Sequence, residues 1–287
     1  MTATLSSIYI LDFDGTITTK DTISAVANAA ISFHASKGKV LGSAWSSVVA
    51  AYGKDYGAFV EGYRPAKEKR KTLDQEVDFY RALRRIEESS FGRLGESGLF
   101  EGIAEGDWER LGQEAVMSGR VLIREGFKEF VMERKRRQES WGVVSVNFSR
   151  AFIRGVLSTV GDGSEDVMVL ANQPDMDGVL RGPKSEDGEI GPIMVTSDAK
   201  LFALKSMLVP VGQNSGGDKV VYIGDSGTDI ECLTAEDVTG IIISEDTNSS
   251  LLQTMKRIGT EVPHIAQYLG AKGRIVWARD FSEINDF

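Results

Sequence analysis

The sequence predicts an α/β protein, a doubly wound parallel sheet with a block of helices inserted near its start. Three observations carry that expectation. Short apolar runs recur along the chain: Ile8 to Leu11, Val143-Val144, Val167 to Leu170, Val220 to Ile223, Ile241 to Ile243 and Ile275 to Trp277. They are continuous rather than alternating, as in strands buried on both faces. Helical patterns lie between several of them, at Phe127 to Gln138, Ser149 to Ser158, Asp198 to Met207 and Ser249 to Ile258. Such alternation builds a parallel sheet covered by helices on both sides. The stretch from Thr19 to Gly119 is different, with no convincing strand and helical patterns instead.

Taken in order, the first run ends in Asp12-Phe13-Asp14-Gly15-Thr16. The helical stretch follows, with helices expected over Thr22 to Ser32, Leu73 to Ile86 and Gly102 to Met117, and with Asp21 and Asp74 as N-terminal caps. A block in that position is a natural lid over the strand ends. Arg124-Glu125-Gly126-Phe127 marks the return into the sheet layers. Asn172 to Val195 is rich in Gly, Pro and Asp and reads as a hairpin or loop excursion. The expected division is therefore an α/β catalytic core of residues 1–19 and 120–287, with a helical cap domain of residues 20–119. Ligands in such sheets bind outside the carboxyl ends of the strands.

Composition narrows the function. With 287 residues, 41% hydrophobic and 26% charged, the chain has the make-up of a soluble enzyme. A net charge of -9 argues against nucleic acid, whose binding needs clustered Lys and Arg. One cysteine, Cys232, rules out an internal disulfide and points to a reducing, cytoplasmic setting. Two distant histidines, His34 and His264, argue against zinc. The N-terminus has no basic flank, and no stretch approaches the ~20 apolar residues of a membrane span, so neither export nor a membrane is expected. The sequons at Asn147 and Asn248 read as chance.

Four signals carry chemistry. The first is Asp12-Phe13-Asp14-Gly15-Thr16. A buried strand that ends in two carboxylates two residues apart gains nothing structurally, because the charges repel and lose hydration. The second is Ser145, with Ser149 as its rival. The third is Lys200, with Lys205 further along the same helix. The fourth is Gly224-Asp225-Ser226-Gly227-Thr228-Asp229 after Val220 to Ile223. This ordered set resembles the haloacid dehalogenase-like (HAD) superfamily of phosphotransferases, with its Rossmann-like core, in the phosphoserine-phosphatase-like branch that carries an inserted helical cap. Where that branch usually has two glycines after the motif serine, Val146 and Asn147 stand here.

Phosphomonoesters hydrolyse so slowly unaided that an enzyme must supply acceleration of up to ~10²¹-fold. A covalent intermediate helps. Asp12 is the expected nucleophile, and Asp14 the group that protonates the leaving oxygen and then deprotonates water, its pKa raised by acidic neighbours. Two like charges ~4 Å apart repel by about 4 kcal/mol at an effective dielectric near 20. The carboxylates would thus reject a phosphate dianion without a divalent cation, and all-oxygen ligands point to Mg²⁺. The expected metal contacts are Asp12, the main-chain carbonyl of Asp14, and Asp225, with Asp229 acting through water or by orienting Lys200. The resemblance implies that Ser145 and Lys200 grip the phosphoryl oxygens. It also implies that Asp21, at the offset of a substrate-contacting glutamate, reads the substrate; Thr16, Val146 and Asn147 complete the expected substrate contacts. Asp21 as a helix cap is an equally good reading.

The expected function is Mg²⁺-dependent hydrolysis of a small-metabolite phosphomonoester through an aspartyl phosphate. The alternatives are a phosphomutase on the same groups and a non-catalytic binder on the same fold. Dehalogenation would need neither Asp14 nor the metal carboxylates. Basic runs at Lys67 to Lys71 and Arg134 to Arg137 read as solvated helix faces or as steering charges, and Trp108 and Phe100 as packing or pocket lining.

Overall fold

The structure, a computed structural model, describes residues 7–164, 167–184, 190–212, 219–267 and 274–285. Strand β1 (Ser7–Leu11) opens the chain and is followed by five helices: α1 (Ile23–Ser36), α2 (Gly42–Gly62), α3 (Leu73–Ala82), α4 (Arg84–Glu96) and α5 (Glu105–Met117). Then come α6 (Phe127–Arg137), β2 (Ser140–Ser145), α7 (Arg150–Leu157) and β3 (Met168–Ala171). A two-stranded hairpin, β4 (Gln173–Pro174) with β5 (Leu180–Arg181), precedes α8 (Ser197–Gly212). The chain closes with β6 (Lys219–Gly224), α9 (Ile230–Leu233), β7 (Val238–Ile243), α10 (Ser250–Arg257) and β8 (Ile275–Ala278).

Six strands form one parallel sheet in the order β3-β2-β1-β6-β7-β8. All six predicted runs are in it. The pleat sends alternate residues to opposite layers, which is why the runs are continuously apolar. Tyr9, Leu11, Val143, Val221, Ile223 and Ile241 join a core with α6 and α7. Ile8, Ile10, Val144, Tyr222 and Ile242 join a second core with α8, α9 and α10. The chain winds outward from β1 in both directions, so the β1/β6 boundary is the crevice where ligands of such sheets bind.

The helical stretch differs from expectation in three places. The pattern over Leu73 to Ile86 is two helices, broken at Leu83. Asp74 lies inside the first turn of α3; the cap is Thr72, whose hydroxyl accepts from Gln75 N at 3.3 Å in a reciprocal capping box. Helix α2 was not expected: only Val48 along its length is buried, and the apolar residues on the same face, Trp45, Tyr52 and Phe59, are half-buried. The two linkers to the block run side by side. Thr18 bridges Ile123 antiparallel, Thr19 N donates to Leu122 O at 2.9 Å, and Arg124 N donates to Ile17 O at 2.8 Å. Helix α5 packs on α7, and α3 on α8.

The basic runs are not simply solvated faces. Arg134 is fully buried against the rings of Tyr9 and Phe130 and pairs with Glu139. Arg70 is buried and pairs with Glu76 at 2.7 Å. Trp108 and Phe100 pack edge to face, both fully buried. No helix among the described residues is long and apolar enough to cross a membrane.

Candidate active site

The loop after β1 turns at once. Asp14 (φ -71°, ψ 126°) and Gly15 (φ 71°, ψ -9°) have the paired dihedrals of a type II turn, whose second position favours glycine. Gly15 also has no room for a side chain, since a Cβ there would overlap the Asp225 carboxylate. Asp12 stays in sheet register, its N donating to Ile223 O at 2.8 Å. Ser145 ends β2 on one side, and Asp225 follows β6 on the other. The strand ends thus bring the widely separated motifs to one rim.

Lys200 anchors the rim from the first turns of α8. Its Nζ lies 2.8 Å from Asp12 Oδ1 and donates to Asp229 Oδ1 at 2.6 Å, and the side chain is fully buried. Burial disfavours the ammonium, but the flanking carboxylates of Asp12 and Asp229 outweigh it and hold the pKa above the ordinary lysine value. Lys205 is exposed on the same helix. The ion pair with Lys200 is the contact that Asp12 Oδ1 makes in its buried position.

Asp229 is saturated. Oδ1 accepts from Lys200 and from Tyr222 OH (2.6 Å), and Oδ2 accepts from Ser226 N (3.0 Å), Ser226 OH (3.0 Å) and Asp225 N (3.2 Å). It therefore orients Lys200 and the Asp225 loop. Asp225 Oδ1 accepts only a long bond, 3.3 Å, from Thr16 OH. Burial, then the Asp229 charge, push the Asp225 carboxyl up to about 7. Asp12 is raised well above the usual range by the same two causes.

Asp14 points the other way, toward the helical block. Thr22 N and Thr22 OH donate to its Oδ1 at 2.7 and 2.5 Å, and Asn147 Nδ2 donates to Oδ2 at 2.7 Å. Its carboxyl is pushed up to about 6, by burial first and by the Asp21 charge second. Burial therefore outranks the acidic neighbours that sequence reasoning invoked. Asn147 faces Asp14, and the Thr16 hydroxyl faces Asp225. Ser145 is buried, its Oγ accepting from Asn147 N at 3.1 Å. Ser149 instead caps α7. Asp21 accepts from Ile23 N at 2.8 Å, one residue before the Thr22 cap position, and with Val146 it lines a cavity beside the rim.

Sequence reasoning missed Arg124. Its guanidinium is buried and donates to Thr16 O at 2.9 Å and to Gly15 O, closing the loop that carries Asp12 and Asp14. Its place at the return from the helical block was the available signal.

The donor set fits a hard divalent cation. Carboxylate oxygens of Asp12, Asp225 and Asp229 lie within 4.8 Å of one another, and with Asp229 committed to its donors, Asp12 and Asp225 are the two left to face an ion. The repulsion that raises Asp12 and Asp225 is what such an ion would relieve.

Comparisons with known proteins bear on the family and the fold. A family model described as haloacid dehalogenase-like hydrolase matches residues 9–234. A CTO1 family protein of Schizosaccharomyces pombe is 28% identical over 261 residues, covering 88% of this chain and 87% of that protein. Among solved structures, a substrate-bound phosphoserine phosphatase complex matches with a TM-score of 0.51 at 17% identity, over 99% of this chain and 98% of that one. Cytosolic 5'-nucleotidase IIIB bound to cytidine matches with a TM-score of 0.55 at 14% identity, over 88% and 78%. At these identities the likeness to the solved structures is one of fold.

Proposed function

The chain belongs to the haloacid dehalogenase-like hydrolase family, and from that premise we propose that it hydrolyses a small phosphomonoester through an aspartyl phosphate on Asp12. One observation carries the reading: a buried carboxylate, ion-paired to a buried lysine and set beside two further carboxylates, at the rim where the sheet winds apart.

In the first step a carboxylate oxygen of Asp12 attacks phosphorus, and the bond from phosphorus to the alcohol oxygen breaks. Asp14 gives its proton to that oxygen. A carboxyl near 6 keeps roughly a tenth of the molecules protonated at pH 7, which suits a group that must both give and take a proton. In the second step water loses a proton to Asp14 and attacks phosphorus, releasing phosphate and restoring Asp12. Thr22 and Asn147 hold the Asp14 carboxyl in place. Lys200 and Ser145 neutralise and bind the phosphoryl oxygens. Asp12, the main-chain carbonyl of Asp14, and Asp225 would hold Mg²⁺, with Asp229 positioning its neighbours. When bound, the ion supplies positive charge beside the transferring phosphoryl group. Residues 20–119 act as a cap domain that keeps bulk water from the acyl phosphate, over a core of residues 1–19 and 120–287.

The test is a panel of phosphorylated metabolites assayed with and without EDTA, together with Asp12→Asn. We expect turnover that EDTA abolishes and a loss of at least roughly four orders of magnitude in the variant, with its melting temperature unchanged or higher. More than a trace of activity in a folded Asp12→Asn protein would remove the nucleophile assignment.

A further inference from the structure

Beside the rim lies a cavity of about 410 Å³, within the range of small-molecule sites. Its floor includes Val146 and Thr228, the residues next to Ser145 and Asp229. Its walls are helical and strongly aromatic. Trp45 and Tyr52 come from α2, Phe91 from α4, and Phe148 from the loop after β2. Phe148 packs edge to face with both Trp45 (6.5 Å) and Phe91 (5.3 Å), so the apolar wall is a connected unit.

The charge of this lining has one sign. Asp21 at the mouth and Glu87 from α4 are its ionisable acids, and no lysine, arginine or histidine is among its described residues. Glu87 is fixed in place, its Oε1 accepting from Tyr52 OH at 2.9 Å. A phosphoryl group seated on the rim would extend its alcohol portion into this space. An alcohol portion carrying a carboxylate would meet two acids and no cation. An aromatic or aliphatic body with a positive nitrogen would meet apolar walls, ring faces and a positioned carboxylate.

Building on the phosphatase reading above, we propose that the released alcohol is compact and largely apolar or aromatic, bears a cationic nitrogen and no carboxylate, and is selected by Glu87 as held by Tyr52. Burial raises the Glu87 pKa, and a bound cation would oppose that shift. Tyr52 and Glu87 lie 35 positions apart, so the pair exists only in the folded chain.

The experiment compares kcat/KM for three benzyl phosphates of similar size, with para-aminomethyl, para-methyl and para-carboxylate groups. Acetyl phosphate serves as a substrate too small to reach Glu87. In parallel, the corresponding benzyl alcohols are tested for a shift in the melting temperature of the protein. We expect the ammonium compound to exceed the methyl one by roughly tenfold or more and the carboxylate to be the poorest. Glu87→Gln should bring the ammonium-to-methyl ratio to within about twofold, and Tyr52→Phe, which keeps the charge but frees the carboxylate, should reduce it partly. A preference for the carboxylate, or a ratio unchanged in folded Glu87→Gln, overturns the proposal. Stabilisation by the ammonium alcohol with no turnover of any of the benzyl phosphates or of acetyl phosphate would support the cavity assignment while overturning the phosphatase reading.

Discussion

Replacing Lys200 by methionine isolates the electrostatics of the rim. The ammonium sits 2.8 Å from Asp12 and 2.6 Å from Asp229, and all three side chains are buried. At an effective dielectric near 20 each attraction is worth about 6 kcal/mol before desolvation. Returning the ammonium to water in the unfolded chain offsets several kcal/mol per ion. What remains is the penalty for leaving buried carboxylates without their partner, about 3–5 kcal/mol. In a chain of this size that lowers the melting temperature by about 6–20 °C. Methionine preserves the length of the side chain, so little of the loss comes from a void. The assay is thermal and urea unfolding in metal-free buffer, with Lys205→Met as a surface control expected to stay within about 0.5 kcal/mol. Millimolar Mg²⁺ should restore part of the loss, because it supplies positive charge to the same oxygens. A Lys200→Met protein within about 1 kcal/mol of the parent in metal-free buffer would refute the reasoning.

Other expectations follow from the same geometry. Asp225→Asn should raise the Mg²⁺ concentration needed for half-maximal activity by about tenfold or more, and an unchanged metal titration would remove Asp225 from the site. Asn147→Ala removes a donor that favours the Asp14 carboxylate, so its pKa should rise above about 6 by about one unit. Because the first step needs Asp14 protonated, kcat/KM falls as pH rises through that pKa, and the alkaline limb of the profile should move to higher pH. Gly155→Ala would drive a Cβ into the Glu109 carbonyl where α5 crosses α7, so we expect a loss of about 1–3 kcal/mol or more, read from a lowered urea midpoint at constant m.

Much of this architecture was legible because it rests on local rules. Strands buried on both faces must be apolar throughout, so all six announced themselves. Asp12 and Asp14 stood out because carboxylates at the end of such a strand have no structural excuse, and Asp225 and Asp229 because they share one Gly-Asp motif after a second such strand. What stayed hidden depends on contacts made only in the fold. Helix α2 packs mostly through half-buried residues, and its stripe of Trp45, Val48, Tyr52 and Phe59 is diluted by the small residues Ala50, Ala51, Gly53, Gly57 and Ala58 around it. Asp74 has the chemistry of a cap but lost to Thr72, whose spacing to Gln75 completes the reciprocal pair. Arg134 belongs to a basic run, and nothing local reveals that it stacks on Tyr9 of the sheet. The Tyr52 bond to Glu87 was equally invisible, since each residue alone is an ordinary member of an exposed-looking helix.

The paired linkers carry a consequence for protein engineering. Residues 17–19 and 122–124 close on each other, and Arg124 ties that closure to the loop that follows Asp12. The polypeptide between them is thus a detour whose ends meet at a fixed spacing. A foreign segment with matching ends could be spliced in, inheriting the chemistry while bringing its own selectivity. One condition is set by Gly112 and Gly155, where two helices touch backbone to backbone: the newcomer must present an equally slender surface to α7.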